Sequence, residues 1–210
     1  MARPLRVLVY DRTCVPGARD GRPIPLTPAW RAGAWLYARL DRIDLSFGAT
    51  SWGEAIAWLL AIEPSSSIAE VQYWGHGRWG QALCGSECLD RDAFARGPHA
   101  DRLRAFRERL LADGEALFWF RTCELFGAHA GHDFARAWAD TLGVRVAGHT
   151  FVIGFHQSGL HSLRPGETPG WSLEEGIARG TPEAPEAARP SRPWAPNTIT
   201  CLHGKIPDGF

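Results

Sequence analysis

Two stretches decide the fold: Ile68-Ala-Glu-Val-Gln-Tyr-Trp-Gly75, running into His76-Gly77, and Ala116-Leu-Phe-Trp-Phe-Arg-Thr122, running into Cys123. Each is a short apolar run of the kind that forms a buried strand. If the two are neighbouring parallel strands, their C-terminal ends lie side by side. The imidazole and the thiol then share the crevice in which open α/β sheets bind ligands.

Outward from these runs, strands alternate with helices. Leu5-Arg-Val-Leu-Val-Tyr10 reads as a first strand, followed by a loop with Pro16, Gly17, Gly21, Pro23 and Pro25. Thr27 is a candidate cap for a helix with Pro28 at its first position. Ile43-Asp-Leu-Ser-Phe47 alternates like a second strand. Ser51 and Glu54 have capping-box spacing ahead of a second helix. Residues 78–98 read as glycine-rich and irregular. Residues 100–112 read as a charged amphipathic helix ended by Asp113-Gly114. Phe134, Trp138 and Leu142 mark another helix, closed by Gly143. Residues 144–147 and 151–153 read as one further strand or two short ones. Such alternation predicts a mostly parallel sheet with helices on both faces, a three-layer α-β-α sandwich.

Residues 1–163 form the expected domain. Residues 164–198 hold most of the prolines with little periodicity, the texture of a long loop or partly disordered arm. Residues 199–210 are expected to add a last strand and tail on the same domain, with the strand at the sheet edge.

The chain has 210 residues, and lysine plus arginine balance aspartate plus glutamate at 23 each, so no polyanion partner is indicated. An apolar fraction of 45% supports one sizeable core. No stretch approaches the roughly 18 apolar residues of a membrane helix. The start runs straight into a strand pattern rather than a signal peptide. Five cysteines without framework spacing fit a reducing compartment, read here as cytoplasmic.

The chemistry centres on Cys123 and His76. A free cysteine is mostly thiol at neutral pH, so attack on a carbonyl needs an activating base, which an imidazole supplies. The backbone amides of Gly77 and Cys123 are candidate donors to an oxyanion. An activated thiol predicts preferential alkylation of Cys123 at pH 7. The bland alternative is a packed cysteine at a strand end and a chance His-Gly in a loop. Cys84 and Cys88 with His129 and His132 are a weaker zinc candidate. Cys201 and His203 form a second His-Gly neighbourhood, read as a terminal strand. His149, His156 and His161 are further crevice candidates.

The patterns His76-Gly77-Arg78-Trp79-Gly80 and Cys123-x-x-x-Gly127-x-x-x-Gly131-x-x-Phe134, with Leu142-Gly143 and Val146-Ala147, resemble the caspase-like clan of cysteine peptidases. That clan includes caspases, metacaspases, gingipains, clostripain and separase. The match spans about residues 68–150 and is nearest to bacterial members without an assigned substrate. It implies a caspase-like sheet, His76 as catalytic histidine, Cys123 as nucleophile, Gly77 and Cys123 as oxyanion-hole amides, and no cofactor or metal. The partner it implies is a peptide or protein substrate, with neither nucleic acid nor membrane. Arg-Thr-Cys-Glu-Leu departs from the Gln-Ala-Cys-x-Gly of caspases and the Asp-Ser-Cys-His-Ser-Gly of metacaspases. Specificity in that fold lies beside the cysteine. Asp11, Asp90 and Asp92 are candidates for reading a basic side chain, and Arg12 and Arg121 for an acidic one. The rival readings are an inactive scaffold or protein-binding module of the same fold, and a flavodoxin-like nucleotide binder. The loop after the first strand lacks a phosphate-cradling glycine pattern, which counts against the latter.

Overall fold

In the computed structural model, which describes residues 3–15, 25–112 and 114–210, strand and helix alternate as the sequence predicts. The order is β1 (Leu5–Asp11), α1 (Thr27–Arg39), β2 (Leu45–Ala49), α2 (Trp52–Ala61) and β3 (Ile68–Trp74). Three short strands follow, β4 (His76–Arg78), β5 (Gln81–Cys84) and β6 (Glu87–Leu89). Then come α3 (Ala100–Arg107), β7 (Leu117–Arg121), α4 (Ala128–Leu142) and β8 (Arg145–His149). The remainder carries β9 (His156–Gln157), β10 (Leu160–Leu163), β11 (Ile177–Gly180), β12 (Pro185–Ala188) and β13 (Ile199–Thr200). The residues Pro16, Gly17, Gly21, Pro23 and Asp113 lie outside the described residues.

The main sheet has six strands in the order β10-β8-β7-β3-β1-β2. All neighbours are parallel except β8 and β10. Strand alternation sends side chains to opposite faces, and both faces are covered. Val7, Val9, Val71, Tyr73, Phe118 and Phe120 pack into the main core with α2, α3 and α4. Leu8 and Trp74 face the other way, against Ala34 and Tyr37 of α1. On that same side Trp119, Ala147 and Leu160 meet Ile199 of the C-terminal segment.

Local signals explain most boundaries. Ser51 is the N-cap of α2 and its hydroxyl accepts from the Glu54 amide at 3.1 Å. The Glu54 carboxylate turns to the Thr50 amide and hydroxyl, not to Ser51. Gly143 ends α4 with φ +69, the left-handed conformation that glycine adopts without steric cost. Thr27 is not the cap of α1. It lies inside the first turn, and its buried hydroxyl donates to the Asp11 carbonyl at 2.9 Å, which ties α1 to the tip of β1.

Other expectations are corrected. Residues 76–89 are not irregular but a three-stranded antiparallel sheet. The helix at 100 ends at Arg107, because Leu110 turns to bridge Ile68 beside β3. Residues 151–153 form no strand, and the sheet edge is β10. The terminal strand β13 pairs with β9 instead of the main sheet. The 164–198 segment holds the β11–β12 hairpin. It also buries Trp171, stacked on Phe126, with its indole N–H donating to the Phe126 carbonyl at 2.9 Å. Among the described residues, no helix is long and apolar enough to cross a membrane.

Candidate functional site

The register between β3 and β7 aligns Tyr73 with Phe120 and Trp74 with Arg121. His76 lies two residues beyond Trp74, and Cys123 two beyond Arg121. Both therefore leave adjacent parallel strands at the same level of the sheet.

From His76 the chain folds straight into the β4–β5 hairpin, with His76 opposite Leu83 and Gly77 opposite Ala82. The hairpin is clasped to the segment after Cys123. The Gly80 amide donates to the Leu125 carbonyl at 2.8 Å. A methyl group at Gly77 would lie 2.6 Å from Thr122 Oγ1 and 2.9 Å from the Cys123 carbonyl oxygen, so only glycine permits this approach. Beyond Cys123 the chain bends sharply. Glu124 has φ +44 and Ala128 φ +61, conformations that cost non-glycine residues on the order of 1–3 kcal/mol. Leu125 and Phe126 are fully buried, and the Glu124 and Phe126 amides donate to the Phe151 and His149 carbonyls. The bend is fixed by that burial and pairing.

His76 and Cys123 line one cavity of about 390 Å³. Its walls are mainly apolar: Trp30 and Tyr37 from α1, Trp74, Ile153, Phe155 and Leu202. The Trp30 ring meets the His76 imidazole edge-on at 5.3 Å. The Cys123 thiol points toward the Ile153 carbonyl, with Sγ 3.9 Å from the oxygen. Burial pushes that thiol up to about 11, outweighing the Ile153 hydrogen bond. Without a ligand Cys123 is therefore a neutral thiol at pH 7. Burial thus works against the thiolate character on which preferential alkylation depends.

Arg121 supplies the charge in the cavity. It is 4% exposed and lies over the Trp119, Trp74 and Tyr37 rings at 4.5, 5.4 and 5.7 Å. Burial lowers its affinity for the proton, and the Tyr37 hydroxyl works against that loss. The guanidinium keeps its proton throughout the accessible pH range. A polar line leads away from it along β3. Gln72 Oε1 accepts from Arg121 at 3.5 Å and from the Trp74 indole at 3.0 Å, while Gln72 Nε2 donates to Glu70 at 2.7 Å. Burial raises the Glu70 carboxyl above its ordinary value.

The other specificity candidates lie elsewhere. Asp11 is buried, and its carboxylate accepts from the Thr13 amide and hydroxyl and from the Gly85 amide, so it shapes a turn. Arg12 pairs with Glu54 at 3.3 Å on the surface. Asp90 accepts from the Asp92 amide and lines a separate cleft with Cys88 and His99. Asp92 faces Arg96 there. Among the described residues no group of three or more metal-ligating side chains forms, and Cys84, Cys88, His129 and His132 do not converge. Cys84 is buried beside Ala49, and His129 faces Glu183 at 3.3 Å. His149 is buried beside Trp119, its Nδ1 3.2 Å from the Ser158 carbonyl, and burial drives it down to about 3. His161 meets Glu175 at 2.7 Å. His203 Nδ1 accepts from the Thr200 amide.

Sequence reasoning missed the far walls of the cavity, namely α1, the 153–157 loop and residues 201–202. One signal was available. Glu70 and Gln72 alternate within a central strand, where a polar residue needs a buried partner. A comparison with family models finds no match, and a comparison with curated proteins finds none either.

Proposed function

We propose that this chain is a cysteine peptidase of caspase-like, three-layer architecture, hydrolysing a peptide bond through Cys123 and His76. The observation that carries the reading is that a thiol and an imidazole, issuing from adjacent parallel strands at one level, line a single largely apolar cavity. Cys123 Sγ attacks the substrate carbonyl carbon as its proton passes to His76. The tetrahedral oxyanion is held by the Gly77 and Cys123 amides. His76 then protonates the departing amine and leaves a thioester on Cys123. Water hydrolyses the thioester, releasing the acid and restoring the thiol. No cofactor enters this scheme. A thiol raised by burial suits transfer of the proton during attack better than a preformed ion pair. Arg121 in the cavity favours an acidic side chain next to the scissile bond. Five cysteines without framework spacing support a reducing, cytoplasmic setting.

A peptide-library digest tests the reading. Cleavage by the chain that is lost in both Cys123→Ala and His76→Gln supports it. Equal cleavage by Cys123→Ala, or none by the parent chain, refutes it.

The high proton affinity of Cys123 also favours a second reading, in which the same fold is an inactive scaffold binding a partner through the cavity. That reading expects peptide binding without turnover, unchanged in Cys123→Ala.

A further inference from the structure

The donors of the Arg121 guanidinium are all engaged within the chain. Nε and Nη2 donate to Gln157 Oε1 at 3.0 and 2.7 Å. Nη1 donates to the Tyr37 hydroxyl at 2.6 Å and to the His203 carbonyl at 3.1 Å. Nη2 also reaches the Cys201 and Thr200 carbonyls at 3.2 and 3.4 Å. A guanidinium has five N–H groups, so these acceptors leave none for a ligand. Among the described residues no carboxylate forms an ion pair with Arg121. Three of the acceptors are backbone carbonyls of residues 200–203, and the same segment contributes Cys201 and Leu202 to the cavity wall.

This covering segment is lightly held. It continues β13, a two-residue strand paired only with the two-residue β9. A ribbon of that length has little stability of its own. The Cys201 amide donates to the Phe155 carbonyl at 2.8 Å. The Tyr37 hydroxyl lies 2.8 and 2.7 Å from the Cys201 and His203 carbonyls, with one proton to donate between them. From the solvent side, Arg42 donates to the Leu202 carbonyl and stacks over the Tyr37 ring at 5.3 Å. Ile199, by contrast, is buried with Trp119, Ala147 and Leu160. Ile206 and Phe210 beyond the segment pack on the same cluster, so the segment is anchored at both ends and can bow outward between them while the core stays closed.

We propose that residues 200–203 form a strap masking an anion subsite built on Arg121, and that a carboxylate-bearing ligand entering the cavity displaces the strap. A carboxylate makes charge-assisted, bidentate bonds to a guanidinium, stronger than those of neutral carbonyls. The strap's effect on turnover rests on the peptidase reading. The masking of the cation does not.

Iodoacetate and iodoacetamide test it, being alike in reach and differing in charge. Alkylation of Cys123 by each is followed by mass spectrometry of its peptide, at one pH and salt, and hydrogen exchange is read over residues 199–205. Arg42→Ala, which lies outside the cavity, is expected to speed exchange at 200–203. It should also raise the iodoacetate-to-iodoacetamide rate ratio by about threefold or more, through Coulomb attraction to the uncovered guanidinium. Tyr37→Phe should shift both in the same direction. Adding Arg121→Gln to Arg42→Ala should return the ratio to the parent value. A ratio that stays put while exchange rises would show that the strap masks no anion subsite. Exchange and ratio both unmoved in both variants would show that these contacts hold no strap. Neither readout needs turnover, so a chain without peptidase activity leaves the test intact.

Discussion

At the residue scale, the chemistry rests on how burial sets two groups against each other. Cys123 is held as a thiol near 11, while Arg121 stays charged among aromatic rings. The sign of the first effect is direct: removing water disfavours the thiolate, so the proton is bound more tightly. Alkylation of Cys123 in the free chain should therefore climb about tenfold per pH unit between roughly pH 7 and 10, with no plateau near 8.5. A stopped-flow or mass-spectrometric pH profile checks this. His76→Ala should lower the turnover number by about 10²–10⁴, the usual contribution of a positioned acid–base group, with a smaller change in KM. That these two residues reach one cavity was legible in sequence, because each closes an apolar run. The proton affinity of Cys123 was not, because it comes from burial in the folded chain, with the Ile153 hydrogen bond working against it.

At the element scale, two features hold the segments that bring Cys123 and His76 to one cavity. One is the helix after the Cys123 bend. Its Phe134 and Trp138 pack on Phe120, and Trp138 also meets Phe118 and Phe94. Trp138→Ala should cost about 3–5 kcal/mol, read as a lowered denaturation midpoint, because it opens a cavity at this junction. The other is the β4–β5 hairpin clasped against Thr122 and Cys123. Gly77→Ala should cost about 1–3 kcal/mol by overpacking. It should also reduce peptide turnover in the protein that remains folded, as measured by kcat at a temperature below the transition. The long helix was visible as Phe134, Trp138 and Leu142 at helical spacing closed by Gly143. The hairpin was not, because three- and four-residue strands separated by Gly80 and Gly85 carry too few alternations to stand out from a loop. The shift of Thr27 from cap to buried anchor has the same origin, since its partner is the carbonyl of Asp11, sixteen residues earlier.

At the scale of the whole molecule, the mostly parallel sheet follows from alternating strands and helices, and it was readable together with the adjacency of β3 and β7. The covering of its C-terminal edge was not. That covering comes from the 153–157 loop, the 164–198 arm and the tail, segments without periodicity whose places are fixed by scattered long-range bonds. Glu175 is one such bond, accepting from His161 and from the Thr150 hydroxyl at 2.7 Å each. Burial works to raise the Glu175 carboxyl, but the His161 and Thr150 bonds outweigh it and hold it below its ordinary value. A depressed carboxyl stabilises the fold above its unfolded value of 4.5, and that contribution is lost as pH falls through the folded value. The arm should accordingly become protease-sensitive below about pH 4.5. Glu175→Gln should be more sensitive than the parent at pH 7 and converge with it under acid, as limited proteolysis will read. The most direct test of the proposed chemistry is acid quench of the chain during turnover of a cleavable peptide, followed by mass mapping of the Cys123 fragment. A thioester-linked acyl group on Cys123, absent in the His76→Gln variant, is the predicted result. Cleavage with Cys123 unmodified at every time point, or an acyl group on another residue, would contradict it.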